Sequence, residues 1–411
     1  MTNSTDREPR RVVITGLGVV TSIGTGPREF LDGLRTGRSG VKPITSFETA
    51  GYAHANGCEI DDFDPAEWIE NIDPRDLGRA SAFSVAAARM AVADAGLELD
   101  ELRSRRALVS VGTTDGESHD LDNLMADQLA SGPLGLDGRT ARRTGAGMLS
   151  SSIVRELRLT DVEAVTIPTA CAAGNYAIGS GFDAIRSGEV DAALSGGADA
   201  ICRKTFTGFY RLGTIAPEVC QPFDANRKGI LTGEGAGILF MESLDSALAR
   251  GARIYAEVLG YGLNCDAKHP VAPDQDSLAA CIEIAHRNAG VKPQDIDFIS
   301  AHGTGTKAND VTEAGAIRQV FDTPPPTVSI KSMLGHTMGA ASALASAACA
   351  LALTEGFIPP TINHERTDPE CGLDPVANTA REAGLRVVQN NALAFAGNNA
   401  VLILGAYEGA R

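Results

Sequence analysis

The chain repeats its own plan, and this repetition constrains its fold more than any other feature of the sequence. AVADAGLELDELRSRRALVSVGTT, ending at Thr114, is echoed by AHRNAGVKPQDIDFISAHGTGT, ending at Thr306. Each reads as a helix, an Ala-Gly stop, a polar linker, a short apolar strand and a Gly-Thr turn. VTIPTACAAG (165–174) is echoed by VSIKSMLGHT (328–337): a strand, a hydroxyl residue and a helix start. DAALSGGADA (191–200) lines up with NALAFAGNNA (391–400) through Ala192 and Ala392, Gly197 and Gly397, Ala200 and Ala400. The three pairs occur in the same order in each half. Short Val- and Ile-rich runs such as Val12–Thr15, Ala107–Val111 and Val165–Ile167 alternate with alanine-rich helical stretches at 80–95 and 172–187. The sequence therefore predicts an α/β fold built from a duplicated unit. Two such halves packed face to face would gather their equivalent turns at the centre. Those turns follow strands, and the C-terminal ends of strands are where α/β folds bind ligands.

Composition narrows the class. The 411 residues leave room for two to three compact units. A net charge of −16 argues against a nucleic-acid partner, which would call for a broad basic surface. Eight Cys are present without a CxxC pair. MTNSTDREPRR carries no apolar segment of signal type. The alanine-rich run 339–353 falls short of the ~20 apolar residues of a membrane span. The expectation is a cytoplasmic protein with reduced thiols and no membrane partner.

The chemistry gathers at the predicted turns. Val165–Ile167 leads through Pro168, Thr169 and Ala170 to Cys171, and the small-residue helix AAGNYAIGSGFDAI follows. A thiol at a helix N-terminus is expected to have a lowered pKa and to serve as a nucleophile. His302 lies in FISAHGTGT, where Thr304 and Thr306 alternate with glycines and suit an extended polar ligand. His336 lies in VSIKSMLGHTMGAASA, five residues after Lys331. A lysine directly after an apolar strand needs a partner once buried, and Glu313, on the helix after HGTGT, is the candidate. His54, His119, His286 and His364 sit in unremarkable surroundings. No metal-ligand spacing of the HExxH or paired CxxC kind occurs, so no metal is expected. GLGVVTSIG is not GxGxxG, which disfavours dinucleotide binding.

TACAAG around Cys171, AHGTGT at His302 and KSMLGH ending at His336 closely resemble the β-ketoacyl-acyl carrier protein synthases, in particular the synthase II type and its polyketide relatives. RRVVITGLGVVTSIG, QPFDANRKGILTGEGAG (221–237) and DAKHPVAP (266–273) extend the resemblance over nearly the whole chain. It implies the thiolase fold, two pseudo-twofold-related α/β halves in five α-β-α-β-α layers. The halves would be 1–255, carrying Cys171, and 256–411, carrying His302 and His336. It implies decarboxylative Claisen condensation: Cys171 takes an acyl group, and both histidines stabilise the enolate of a malonyl-type thioester. Backbone N–H groups of Cys171 and Phe395 would form an oxyanion hole. Lys331 paired with Glu313 would position the histidines. Thr304 and Thr306 match pantetheine-binding positions, and Phe395 matches a gating phenylalanine. His269 matches an entrance loop, and Gly397 and Asn398 belong to the substrate-side loop AFAGNN. No resident cofactor is implied, because phosphopantetheine arrives on an acyl carrier protein. Basic residues for carrier docking are Arg75 and Arg79, spaced i, i+4 on a helix start, and the cluster Arg203, Lys204 and Arg211. A homodimer is the expected assembly, with a ketosynthase-like partner subunit as the alternative.

Relatives are separated by single residues. A thiolase would carry a second cysteine in LAFAGNNA, a synthase III enzyme would carry Asn in place of His336, and a chain-length factor would lack Cys171. AFAGNN departs from the family's GFGGTN, and the stretch from Gly112 to Val165 departs as well. These departures favour a specialised-metabolite synthase over ordinary fatty acid elongation, with ring closure on one tethered substrate left open. The competing classes are a non-condensing acyltransferase or hydrolase, and a non-catalytic partner subunit.

Overall fold

The computed structural model describes residues 9–407 and 409. Its first half runs β1 (Val12–Thr21), α1 (Arg79–Asp94), β2 (Ala107–Gly112), α2 (Met148–Leu157), β3 (Val162–Ile167), α3 (Ala173–Ser187), β4 (Ala192–Asp199) and β5 (Gly235–Ser243). The second runs β6 (Ala256–Cys265), α4 (Gln275–Ala289), β7 (Phe298–Ser300), α5 (Lys307–Val320), β8 (Thr327–Val328), α6 (Ala341–Glu355), β9 (Val387–Leu393) and β10 (Asn398–Gly405). Strands lie in the order β3-β2-β4-β5-β1 in one half and β8-β7-β9-β10-β6 in the other. The senses match as well: β3-β2-β4 and β8-β7-β9 are parallel, and the remaining neighbours antiparallel. Among the described residues the two half-sheets join into one where Val12–Ile14 of β1 meets Ala256–Val258 of β6.

The period-2 alternation of strands sorts side chains into layers. Leu239 and Met241 of β5 enter a central core with α3 and α6, while Ile238 and Phe240 pack under α1 and α2. On the other sheet Leu402 and Leu404 of β10 face the centre, and Val401 and Ile403 face α4 and α5. The result is five layers, α1/α2, sheet, α3/α6, sheet, α4/α5, which is the thiolase fold. Helix α6 is apolar on every side because both sheets enclose it. The segment Met338–Glu355 is long and apolar enough to cross a membrane by composition, and 89% of it is buried between these layers.

The echoes map onto this symmetry unevenly. The first holds: helix end, linker, strand and Gly-Thr turn recur before and after β2 and β7. The second holds for β3 and β8, but a one-turn helix, Lys331–Leu334, is inserted before the second turn. The counterpart of the Cys171 turn (Ala170–Ala172) is consequently Met338–Ala340. Both turns open on a non-glycine residue in the left-handed region, Ala170 at φ 50° and Met338 at φ 51°. The third echo is out of register. The partner of β4 is β9, whereas Asn398–Ala400 begin the next strand, β10.

Candidate active site

Cys171 sits on the 3₁₀ turn between β3 and α3, at the central contact of the two halves, and is buried. His302 follows β7, and His336 follows the inserted one-turn helix. The Cys171 sulfur and one ring nitrogen of each histidine all lie within 4.8 Å of one another. The imidazoles meet edge to face, with centroids 5.4 Å apart and planes at 83°.

His336 is fixed through its ring and His302 through its main chain. The Met338 N–H donates to His336 Nδ1 at 3.2 Å, so the neutral ring carries its proton on Nε2 and presents a donor. Glu313 of α5 accepts from the N–H groups of His302 and Gly303, both at 2.8 Å, and from the Asn391 amide at 3.2 Å. The Lys331 ammonium donates to the carbonyl of His302 at 2.6 Å. Among the described residues Lys331 and Glu313 form no direct ion pair, which corrects the expected pairing. They grip opposite sides of the same histidine backbone instead, because two peptide N–H groups already occupy the carboxylate. Gly305 at φ 77° lets the next turn approach Gly229, whose oxygen would lie 2.7 Å from an added Cβ.

Electrostatics differ from the expectation for the thiol. Burial pushes Cys171 up to about 12, against the opposing pull of the Lys331 charge. The helix N-terminus is present, but desolvation of the anion outweighs it, so the resting sulfur is a thiol. Burial, then the Lys331 charge, holds both imidazoles well below their ordinary value, and the rings are neutral. Burial likewise lowers Lys331 and raises Glu313. A sulfur and two imidazoles are a metal-donor set by type, yet a ligating cysteine must be a thiolate. The neighbouring Lys331 ammonium opposes a cation here.

These three groups line a cavity of about 230 Å³. Thr304 and Thr306 line it too, their hydroxyls 2.9 Å apart. Phe395 stands at its wall, 36% exposed, with its ring 5.4 Å from that of Phe209. Phe209 in turn lies 6.5 Å from His336. Sequence reasoning missed Phe209, Leu212 and Asn309, which line the cavity without any motif to mark them. His269, Gly397 and Asn398 do not line it, contrary to expectation. His269 is exposed and its Nδ1 accepts from Val271 and Ala272 N–H, shaping the loop that brings Val271–Pro273 to the mouth. Gly397 packs against Asp266, and Asn398 starts β10.

The basic residues separate. Arg79 is the first residue of α1 and Arg75 belongs to the preceding 3₁₀ turn, so they do not share a helix. Arg79 is an internal clamp, bonded to buried Glu234 at 2.6 Å and to the Ile60 carbonyl. Arg75 is exposed but paired with Asp73. Lys204 is tied to Asp115 at 2.8 Å and to Ser118. Arg203 and Arg211 flank the helix Arg203–Arg211, which carries Phe209 to the cavity.

A buried thiol facing two neutral imidazoles across a twofold-related pair of α/β halves defines a thiolase-fold condensing enzyme. The chain belongs to the β-ketoacyl synthase family: residues 9–247 match its "Beta-ketoacyl synthase, N-terminal domain" and residues 255–365 its C-terminal domain. It is a ketosynthase, an acyltransferase. It is 36% identical to 3-oxoacyl-[acyl-carrier-protein] synthase 2 of Synechocystis, over 98% of this chain and 99% of the relative. It is 41% identical to nodulation protein E of Rhizobium sp. strain N33, over 96% and 98%. Among solved structures it resembles one described as the ishigamide ketosynthase/chain length factor, at TM-score 0.96 and 62% identity over 97% of this chain and all of the other. It also resembles a type II polyketide ketosynthase in complex with its acyl-carrier protein, at TM-score 0.89 and 30% identity over 97% and 100%.

Proposed function

We propose that Cys171, His302 and His336 carry out decarboxylative condensation on carrier-bound substrates of a polyketide-type pathway. In the first step the Cys171 sulfur attacks an acyl thioester, and its proton leaves with the departing pantetheine thiol. The main-chain N–H groups of Cys171 and Phe395, both on the cavity wall, face the developing oxyanion. In the second step a malonyl-type thioester follows past Thr304 and Thr306. The imidazole N–H groups donate to its carbonyl oxygen. As carbon dioxide departs, the electron pair of the broken bond passes into the enolate. The α-carbon attacks the acyl carbon, the Cys171 thiolate leaves, and it regains a proton from water. Neutral imidazoles suit this role because they donate a hydrogen bond while transferring no net charge to the site.

The observation that carries the reading is the mutual 4.8 Å proximity of thiol and rings in a cavity open to the surface. The 62% identity to a chain of the ishigamide ketosynthase/chain length factor supports a specialised substrate over fatty acid elongation. That relative's pairing with a chain length factor supports a second ketosynthase-type subunit beside this chain. Docking of an acyl carrier protein falls to Arg203 and Arg211, on the helix that brings Phe209 to the cavity. The eight free cysteines suit a reducing cytoplasm. Intact-protein mass spectrometry after exposure to acyl thioesters, with carbon dioxide release from malonyl thioester, tests the mechanism. Acylation at Cys171 and a lengthened product are expected; acylation followed by hydrolysis alone would refute condensation.

A further inference from the structure

We propose that Asp199 is a positioning residue for His336, reaching from the first half of the fold to hold the turn that fixes that imidazole's tautomer. Asp199 ends β4 and is fully buried. Its Oδ1 accepts from the Thr113 hydroxyl at 2.5 Å and the Asp115 N–H at 3.0 Å. Its Oδ2 accepts from the Thr114 N–H at 2.7 Å and the Gly339 N–H at 2.6 Å. Gly339 directly follows Met338, whose own N–H sets His336 Nδ1 as an acceptor. The turn is pressed so close that a Cβ on Gly339 would lie 2.4 Å from Thr113 Cα. One carboxylate therefore ties the loop after β2 to the turn before α6, and through Met338 to the ring.

Three of the four partners are peptide N–H groups, which can only donate, and the Thr113 hydroxyl donates the fourth bond, so the arrangement favours the anion. A proton on Oδ2 would meet two peptide N–H groups, and an Asn in this place would set its NH₂ against at least one peptide N–H whichever way it turned. Among the described residues no cation bonds Asp199 directly. The titratable groups acting on it are Asp115, Lys204 and Cys171. Burial and then the Asp115 charge push Asp199 up to about 7, and Lys204, bonded to Asp115, offsets that charge. The Asp199 charge in turn raises the Cys171 thiol.

The inference rests on the reading of His336 as an enolate-stabilising donor, and the test separates the two. In Asp199→Asn, carbon dioxide release from malonyl thioester should fall about tenfold with KM little changed. Alkylation of Cys171 by iodoacetamide at fixed pH should rise, because the neighbouring negative charge is gone. Nitrogen-15 spectra of labelled histidine should show His336 losing its single Nε2–H tautomer, a readout independent of turnover. If Asp199→Asn does not fold, Lys204→Met decides. It should move the acid limb of decarboxylation upward by about one unit, since an uncompensated Asp115 makes Asp199 easier to protonate. An unchanged tautomer with unchanged or slowed alkylation in Asp199→Asn, or an unmoved limb in Lys204→Met, overturns the inference. A wild type that releases no carbon dioxide refutes the functional reading and leaves the tautomer result to judge Asp199.

Discussion

At the scale of single residues the site is governed by burial. A thiol held near 12 is almost wholly protonated at neutral pH, so alkylation of Cys171 should climb about tenfold per pH unit from 7 to 10 without a plateau. A plateau near pH 7 in a rate-against-pH series would contradict the resting thiol. Lys331 acts on the rings through charge and on His302 through its carbonyl. Lys331→Met should remove a cation that lowers both imidazoles, raising their folded pKa toward the ordinary value. Neutral rings would then be lost at a higher pH, so the acid limb of condensation should move upward. The orphaned His302 carbonyl should also lower stability by about 1–3 kcal/mol in denaturant melts. The grouping of Cys171 with both histidines was legible in the sequence because Cys171 and His302 each come shortly after a strand and His336 opens a small-residue turn, although the one-turn helix Lys331–Leu334 before it was not foreseen. The Lys331–Glu313 relation was not. Burial announced that the lysine needs a partner, but only the fold shows a peptide carbonyl filling that place. The direction of the thiol shift was misread for a related reason. The helix N-terminus is visible in TACAAG, whereas the burial that overrides it exists only in the packed fold.

At the scale of elements, the helix Arg203–Arg211 joins surface to site. It places Phe209 on the cavity wall and leaves Arg203 and Arg211 without an ion-pair partner among the described residues, while α1 consumes Arg79 internally. Charge reversal at Arg203 and Arg211 should raise KM for carrier-bound substrate several-fold and spare short pantetheine thioesters. Arg79→Glu should instead unfold the protein at lower denaturant. It opposes buried Glu234 with a like charge, and breaking such a pair costs roughly 3–5 kcal/mol. Equal KM effects on both substrates in the double reversal would remove the helix from carrier docking. The i, i+4 spacing of Arg75 and Arg79 was a pattern with the wrong element beneath it, since a 3₁₀ turn ends between them. Register was lost in the same way at the third echo. Ala and Gly matches at fixed spacing cannot show that Phe395–Gly397 turns the chain before β10. By contrast the first echo carried helix stop, strand and turn together, and all three recur in space.

At the scale of the whole molecule, the first-half sheet ends on an unpaired strand. Among the described residues β3 pairs with β2 alone, and its Val162–Ile167 side chains are half-buried or exposed. The helix Ser118–Ser131 and the turn after it add Leu121, Met125, Leu129 and Leu134, the last fully exposed. Leu121, Met125 and Leu129 are four residues apart, so they form one apolar stripe on the helix. An open edge strand and a bare apolar stripe are both aggregation hazards unless another chain covers them. This surface lies in the stretch between Gly112 and Val165, which departs from the family pattern, so its coverage bears on partner choice as well as on solubility. A second ketosynthase-type subunit, identical or related, would present a matching edge if the pair were twofold-symmetric. The protein alone should therefore run on light-scattering chromatography at twice its 42.7 kDa mass, or precipitate until a related subunit is co-expressed. Leu129→Glu together with Leu134→Glu should yield a soluble monomer by placing charge on the seam. Because both positions are exposed, the monomer should melt as a folded protein. A wild type that stays monomeric and soluble at micromolar concentration, with no related subunit captured on co-expression, would leave the stripe without a dimerising role.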